Sequence, residues 1–397
     1  MRTSKSIPVV FVSFLAVLLF MIMISNGHAA EPATLKIGMI TSLTGPMAPP
    51  FKDLADAAKP TADLINKRGG VTIKGQKHLI EIVSEDDQSS PPGAVAAMNR
   101  LIQRGIKFVL SPLFTPSVLA VTPLAEESKI LLVQPMGGVR DQANPNLHYS
   151  FLVRTFVYSA PVGYDYLQQH YAASRKIAII SPDDPVGIIY RGLAGKEIRN
   201  RKLDLVFEEQ FKIGSEDFYP LLTRALQKKP DAIDLVFSIE PWSAGLINQS
   251  RELGFTGPIY ASVGMLGDIN ILKGMINQKY SYDLFQIGAD VQSPKMPQIV
   301  KDFRDVLGQQ VKTPFVTSHL AVFDAVYVLV QVVEKAQSLD TDKVVQTLEN
   351  MGSIDTAYGR GRIAGEDFFG VKHVVRRPIA LSGIVNGKVF CEFSNKD

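Results

Sequence analysis

The chain has 397 residues, with 42 Lys and Arg against 39 Asp and Glu, six His and one cysteine, Cys391. A single cysteine excludes an intrachain disulfide and a cysteine-built zinc site, and a formal charge of +3 gives no electrostatic reason to expect nucleic acid or an anionic membrane as partner. The length fits two domains or slightly more, and the composition is that of an ordinary globular α/β chain, neither disordered nor low in complexity.

Arg2 and Lys5 precede an apolar run from Val9 to Ile24, interrupted only by Ser13, and then the small-residue stretch Gly27-His28-Ala29-Ala30. This is the layout of a secretory signal peptide over residues 1–30, cleaved after Ala29 or Ala30. A membrane anchor would need about 20 apolar residues, and a lipid anchor would need a cysteine at the new N-terminus. Cleavage removes two positive charges and no negative ones, leaving 40 basic against 39 acidic residues, or +1. An export signal with so little disulfide use suits a bacterial periplasm, where a chain of this size can rely on its core. After Ala30 no apolar run is long enough to span a bilayer.

From Leu35 onward short apolar or β-branched runs alternate with amphipathic stretches. The expected strands are Leu35 to Ile40, Ile80 to Ser84, Phe108 to Leu110, Leu131 to Gln134, Ile177 to Ser181, Leu203 to Glu208, Leu235 to Ile239, Ile259 to Ser262 and Leu284 to Val291. Between them lie helical patterns at Ala57 to Lys67, Gly93 to Arg104, Ser117 to Ser128, Ala160 to Tyr171, Ile188 to Arg199, Tyr219 to Gln227 and Ser243 to Leu253, with a strongly apolar one later at Thr317 to Ala336. Alternating β and α elements with buried apolar strands predict an α/β protein of two doubly wound parallel-sheet lobes. The loop from Asn144 to Tyr158 separates the strand groups. The expected first lobe comprises residues 31–155 and 286–358, and the second 156–285 and 359–397. The closing runs Pro378 to Ile384 and Lys388 to Phe393 meet at Asn386-Gly387, a strong hairpin signal.

Three strand exits share a polar residue followed by proline: Thr115-Pro116, Asp184-Pro185 and Glu240-Pro241. The polar residue sits where an N-cap would, with proline opening the helix. Such helix N-termini suit carboxylates or phosphates, and ligands of open α/β sheets bind beyond the carboxyl ends of the strands; plain capping is the simpler account of each. A fourth exit, Gln134-Pro135-Met136-Gly137-Gly138, ends in glycines that admit either a close ligand or a turn. Trp242, the only tryptophan, and Phe51 are candidate walls, with core packing as the alternative for Trp242.

Catalytic signatures are missing: no G-x-S-x-G, H-E-x-x-H, P-loop or EF-hand spacing occurs. Gly359, Gly361 and Gly365 have the wrong spacing for a dinucleotide loop. His148, His319 and His373 read as surface or hydrogen-bonded core residues, and Asp86-Asp87 as a capped loop. No metal site, cofactor or enzymatic activity is expected.

Leu35-Lys36-Ile37-Gly38-Met39-Ile40, Ser42-Leu43-Thr44-Gly45-Pro46, Ala62 through Gly70 and Glu85-Asp86-Asp87-Gln88 resemble the periplasmic leucine/isoleucine/valine-binding family. So do Pro123 to Glu127, Phe151-Leu152-Val153-Arg154-Thr155, and Gly359-Arg360-Gly361-Arg362 through Gly387-Lys388. The resemblance spans nearly the whole chain after the leader. It implies a type I periplasmic-binding fold with a three-crossing hinge, and delivery of a small solute to the membrane permease of an ABC importer. Aligned by motif, the family's carboxylate-holding positions fall at Thr115, Gly137 and Gly138, its aromatic positions at Val186 and Glu240, and its ammonium-pairing acid at Val263.

A buried ammonium without its carboxylate partner costs several kcal/mol, so Val263 shifts the expected ligand to an aromatic or aliphatic acid. Its carboxylate would sit at Thr115, Gly137 and Gly138, and its body near Phe51, Phe114, Met136, Val186, Trp242 and Val263. An inward Glu240 would instead receive an amine and restore amino-acid or amide binding. Two further readings stay open: a sensor that presents its closed state to a signalling receptor, and an exported hydrolase or transferase, for which no nucleophile and base are visible.

Overall fold

The computed structural model describes residues 32–264 and 267–394; the expected signal peptide lies outside the described residues. Five strands pair in parallel at the centre of the first sheet. These are β1 (Ala33–Thr41), β3 (Gln76–Asp86), β4 (Phe108–Leu110), β5 (Leu131–Gln134) and β6 (Ser150–Leu152). β4 and β5 are buried at every residue, because helices cover both faces, and their near-continuous apolar sequence follows from that.

One face carries α1 (Ala48–Asp56), α2 (Ala58–Lys67) and two later helices, α10 (Gln298–Gln310) and α11 (His319–Ala336). α11 is buried along most of its length, which its nearly all-apolar sequence requires. The opposite face carries α3 (Pro91–Gln103) and α4 (Thr115–Glu127), with Met98, Leu101 and Val121 packed on Val109 and Leu132.

The second sheet runs through β7 (Lys176–Pro182), β8 (Asp204–Phe211), β9 (Ala232–Leu235), β10 (Ile259–Ala261) and β11 (Leu284–Ile287), again in parallel. Its faces are covered by α5 (Ala160–His170), α6 (Pro185–Asn200), α7 (Tyr219–Gln227), α8 (Glu240–Glu252) and α9 (Ile269–Met275). β15 (Ile379–Val385) and β16 (Lys388–Ser394) close its edge as an antiparallel hairpin. Both turn residues, Asn386 at φ 50° and Gly387 at φ 72°, are left-handed, as a type I′ turn demands.

Three elements differ from the sequence reading. The run Leu235 to Ile239 is not a strand: β9 is Ala232–Leu235, and the chain breaks at Phe237, where φ is +53°. The strand expected from Leu284 to Val291 stops at Ile287 and so belongs to the second sheet rather than opening a return at residue 286. The last crossing lies between Arg376 and Ile379, not at residue 359.

β12 (Ile354–Thr356), β13 (Gly359–Ala364) and β14 (Val374–Arg376) extend the first sheet from β6. The Gly-Arg-Gly-Arg composition of β13 hid a strand, since glycine in strands marks close backbone approach; a Cβ on Gly361 would come within 2.7 Å of the Arg376 carbonyl.

Two wholly buried carboxylates are held above the usual carboxylate range. Asp234 on β9 is pushed up from 3.8 to about 6 by burial, against hydrogen bonds from the Ser262 hydroxyl, the Ser262 N–H and the Tyr164 hydroxyl. Asp324 on α11 is likewise raised by burial to about 6, against Arg377, the Ala357 N–H and Arg154. An acid with a raised folded pKa binds its proton more tightly folded than unfolded, so its contribution is retained below about pH 4 and lost as pH rises through about 6. A shift of about two units corresponds to about 3 kcal/mol. Urea unfolding of Asp234→Asn against wild type should therefore show the variant gaining up to about 3 kcal/mol between pH 4 and 6 and no more above pH 7; a pH-independent difference would refute the assignment.

Candidate functional site

In parallel sheets the strands end on one side, and the exits of β1, β4 and β5 in the first lobe and of β7, β9 and β10 in the second are the two walls of the candidate site, with the lobes in contact where Tyr190 reaches Gly138 and Asp268 holds Thr317. On the first wall Asp86, at the end of β3, organises the loop after β1. Its carboxylate accepts from the Leu43 and Thr44 N–H groups, the Thr44 hydroxyl and the Gln88 N–H. Burial opposes its ionisation, yet these hydrogen bonds hold its pKa below the usual value. Asp87 accepts from the Ser42 hydroxyl and the Ser89 N–H. The Asp86-Asp87 pair is thus a capped loop.

Of the three polar-Pro exits, only Asp184 is a side-chain cap, accepting from the Gly187 N–H. α4 and α8 begin one residue earlier than the sequence suggested. Phe114 and Ile239 occupy the cap positions without a side-chain cap, and Thr115 and Glu240 are the first helical residues. Thr115 is half-buried at the open first turn of α4.

The Gly137-Gly138 exit differs most from expectation. The Gly137 N–H donates to the Arg154 carbonyl at 3.0 Å, and the Gly138 and Val139 N–H groups donate to Gln142 Oε1 at 2.9 and 3.1 Å. These donors are engaged within the first lobe and are not available to a ligand carboxylate. Gly138 answers to a different constraint: a Cβ there would lie 2.8 Å from the Tyr190 hydroxyl, which reaches across from α6 of the second lobe.

Tyr190 went unnoticed in the sequence because it is one apolar-face residue of an amphipathic helix. In the fold it is 2% exposed and meets Phe237 and Phe156 edge-on at 5.4 and 6.2 Å. Burial raises its hydroxyl well above the usual range.

Phe237 was equally hidden. A bulky residue at φ +53° is a genuine outlier, and such strain of about 1–3 kcal/mol persists only where surrounding structure imposes it. Here the Phe237 N–H is tied to the Val263 carbonyl at 3.0 Å, and Gly264, itself at φ +88°, leaves room for the ring.

The remaining candidates separate. Met136 is half-buried and packs against the cores of both lobes. Val186 is half-buried near Tyr190 in the second-lobe cluster. Phe51 packs on the first-lobe core. Trp242 lies edge-on to Phe211 at 5.5 Å in the second-lobe core, and Val263 is 0% exposed in the other core cluster of that lobe. Val263 offers no open wall to a ligand because its burial is complete, whereas Trp242 is half-buried and turns its ring edge to Phe211.

Glu240 turns toward the loop before α9. Its Oε1 accepts from the Asp268 N–H at 2.6 Å, and a Cβ on Gly267 would collide with it. Asp268 in turn accepts from the N–H and hydroxyl of Thr317 in the first lobe, both at 3.3 Å.

His319 and His373 are buried and hydrogen-bonded, through Val316 and through Ser150 and Glu349 respectively, and His148 is exposed. Among the described residues no group of three or more His, Cys, Asp or Glu is placed to hold a metal, and no helix is long and apolar enough to cross a membrane.

Residues 34–387 match the family model described as periplasmic binding protein. The Leu/Ile/Val-binding protein BraC3 of Rhizobium johnstonii is 27% identical over 83% of this chain and 87% of its own length. The leucine-, isoleucine-, valine-, threonine- and alanine-binding protein of Pseudomonas aeruginosa is 26% identical over 79% and 82%. Among solved structures, LivJ of Streptococcus pneumoniae with isoleucine superposes at TM-score 0.71 with 19% identity, covering 91% of this chain and 99% of its own. A solute-binding protein of R. palustris in complex with benzoate superposes at TM-score 0.68 with 15% identity, covering 91% and 96%.

The contact of Tyr190 with Gly138 is directly testable by thermal unfolding. Gly138→Val should destabilise the protein by about 1–3 kcal/mol through overpacking. Adding Tyr190→Leu should recover part of that loss. A double variant whose loss equals the sum of the two single losses would show that the two positions do not touch.

Proposed function

The chain belongs to the periplasmic binding protein family, and we propose that it captures a small carboxylate with an aromatic or aliphatic body by lobe closure and hands it to the permease of an ABC importer. That it is a solute-binding protein of the transport type, related to the leucine/isoleucine/valine-binding proteins and not an enzyme, follows from the family match and its relatives.

The observation that carries the choice of ligand is the state of the acids in the second lobe. Val263 stands fully buried where an ammonium partner would fall, and the Oε1 of Glu240 is occupied by the Asp268 N–H. An α-ammonium entering this cleft would lose its water without a ready carboxylate, at a cost of several kcal/mol. With the Gly137 and Gly138 donors engaged, the seat for a carboxylate contracts to Thr115 and the uncapped first turn of α4, where N–H groups and the helix dipole favour an anion. Met136, Val186 and Phe237, each half-buried, would supply the apolar and aromatic surface, with Tyr190 packed behind Phe237.

Closure works by differential contact: a ligand touching both walls binds the closed state better than the open one and shifts the population accordingly. The amino-acid reading draws on the specificities for which the relatives are named and on Glu240, which could exchange Asp268 for an amine.

Thermal-shift screening of the refolded, ligand-free protein lacking residues 1–30, followed by calorimetry, separates these readings. Benzoate-like and branched aliphatic carboxylates should raise the melting temperature and leucine and isoleucine should not, with Thr115→Val weakening the best acid about tenfold. Tight leucine binding abolished by Glu240→Gln would overturn the acid assignment and leave the family assignment intact.

A further inference from the structure

The three crossings between the lobes enclose a cavity of about 20 Å³, enough for one water-sized occupant. Thr155, Tyr158 and Ser159 line it from the first crossing, Gly288 from the second, and Arg376 and Arg377 from the third, with Tyr358 closing one side.

The polar groups around it are unevenly satisfied. Arg376 faces Asp367 at 3.7 Å, and Asp367 also accepts the Tyr158 hydroxyl at 2.8 Å. Ser159 donates to the Phe156 and Ser262 carbonyls. Arg377 is half-buried, with its guanidinium stacked 3.7 Å from the Tyr358 ring centroid and one long 3.5 Å contact to the Pro378 carbonyl. Among the described residues no carboxylate reaches it at ion-pair distance; Asp324 acts on it only from farther away, holding the Ala357 N–H through Oδ1. Arg154 adds a second positive charge on the same side. The Tyr358 hydroxyl is buried without a hydrogen bond of good geometry, although Arg377 lies close to it. A half-buried guanidinium without a carboxylate, a buried hydroxyl without a well-formed hydrogen bond and a small cavity that both residues line form a site of positive potential, where a buried charge is costly unless compensated.

We propose that this hinge cavity binds one small monovalent anion, of the size of chloride, against Arg377 and the Tyr358 hydroxyl that line it. The anion compensates Arg377 and ties the third crossing to the first, so its occupancy biases the angle between the lobes. The site is separate from the solute cleft, and nothing in it depends on which solute the protein carries.

Crystals soaked in sodium bromide give the direct reading: an anomalous peak within hydrogen-bonding reach of Arg377 is expected, and it should be lost in Arg377→Gln. In solution, chloride at constant ionic strength against gluconate, which is too large to enter, should raise the melting temperature saturably by about 2 °C. That increment should vanish in Arg377→Gln and persist in Arg377→Lys at higher anion concentration. An empty hinge in bromide crystals, or an anion increment identical in wild type and Arg377→Gln, overturns the proposal whatever the solute screen finds.

Discussion

The parallel pairing of buried strands is the constraint from which the rest follows. Strands such as Phe108–Leu110 and Leu131–Gln134 have no exposed face, so each must be followed by a helix that returns the chain across the sheet before the next strand can pair. Every such crossover leaves the strand at the same edge. The loops there carry contacts between the lobes, Tyr190 against Gly138 and Asp268 with Thr317, so strand direction decides which residues can meet across them.

At those exits the chain spends its polar groups largely on itself. Asp86 and Asp87 fold one loop, Gln142 holds the Gly138 turn, and Glu240 and Asp268 pass a hydrogen-bond chain to Thr317 in the other lobe. Preorganisation of this kind lowers the ordering cost of binding. Two groups at these exits stay outside that network: the start of α4 has no side-chain cap, and Phe237 holds a left-handed backbone position. Phe237 and Tyr190 illustrate the balance. The ring of one is held at a left-handed backbone position, the hydroxyl of the other requires glycine across the cleft, and neither arrangement would persist without the packing around it.

The hinge carries the opposite problem. Three chain passages converge where neither sheet continues, and charged groups gather there: Arg154, Arg376 and Arg377 against Asp324 and Asp367. Low dielectric strengthens each interaction and makes each incomplete one costly.

Local patterning was enough to determine the alternation of strands and helices, the two parallel lobes, the closing hairpin at Asn386-Gly387, the cap at Asp184 and the absence of a catalytic signature. These depend on periodicity and turn chemistry, which act over a few residues. Tertiary structure alone decided that β13 joins the first sheet in spite of its glycines, and that Val263 is core. It also decided that the Gly137 and Gly138 donors are already taken and that Tyr190 faces Gly138. Each of these turns on a partner far away in the chain: Arg376 for Gly361, Arg154 for Gly137, the second lobe for Gly138. Motif alignment can place a residue at a strand exit, but the direction of its side chain and the partner of its N–H are set by the packing of the other elements.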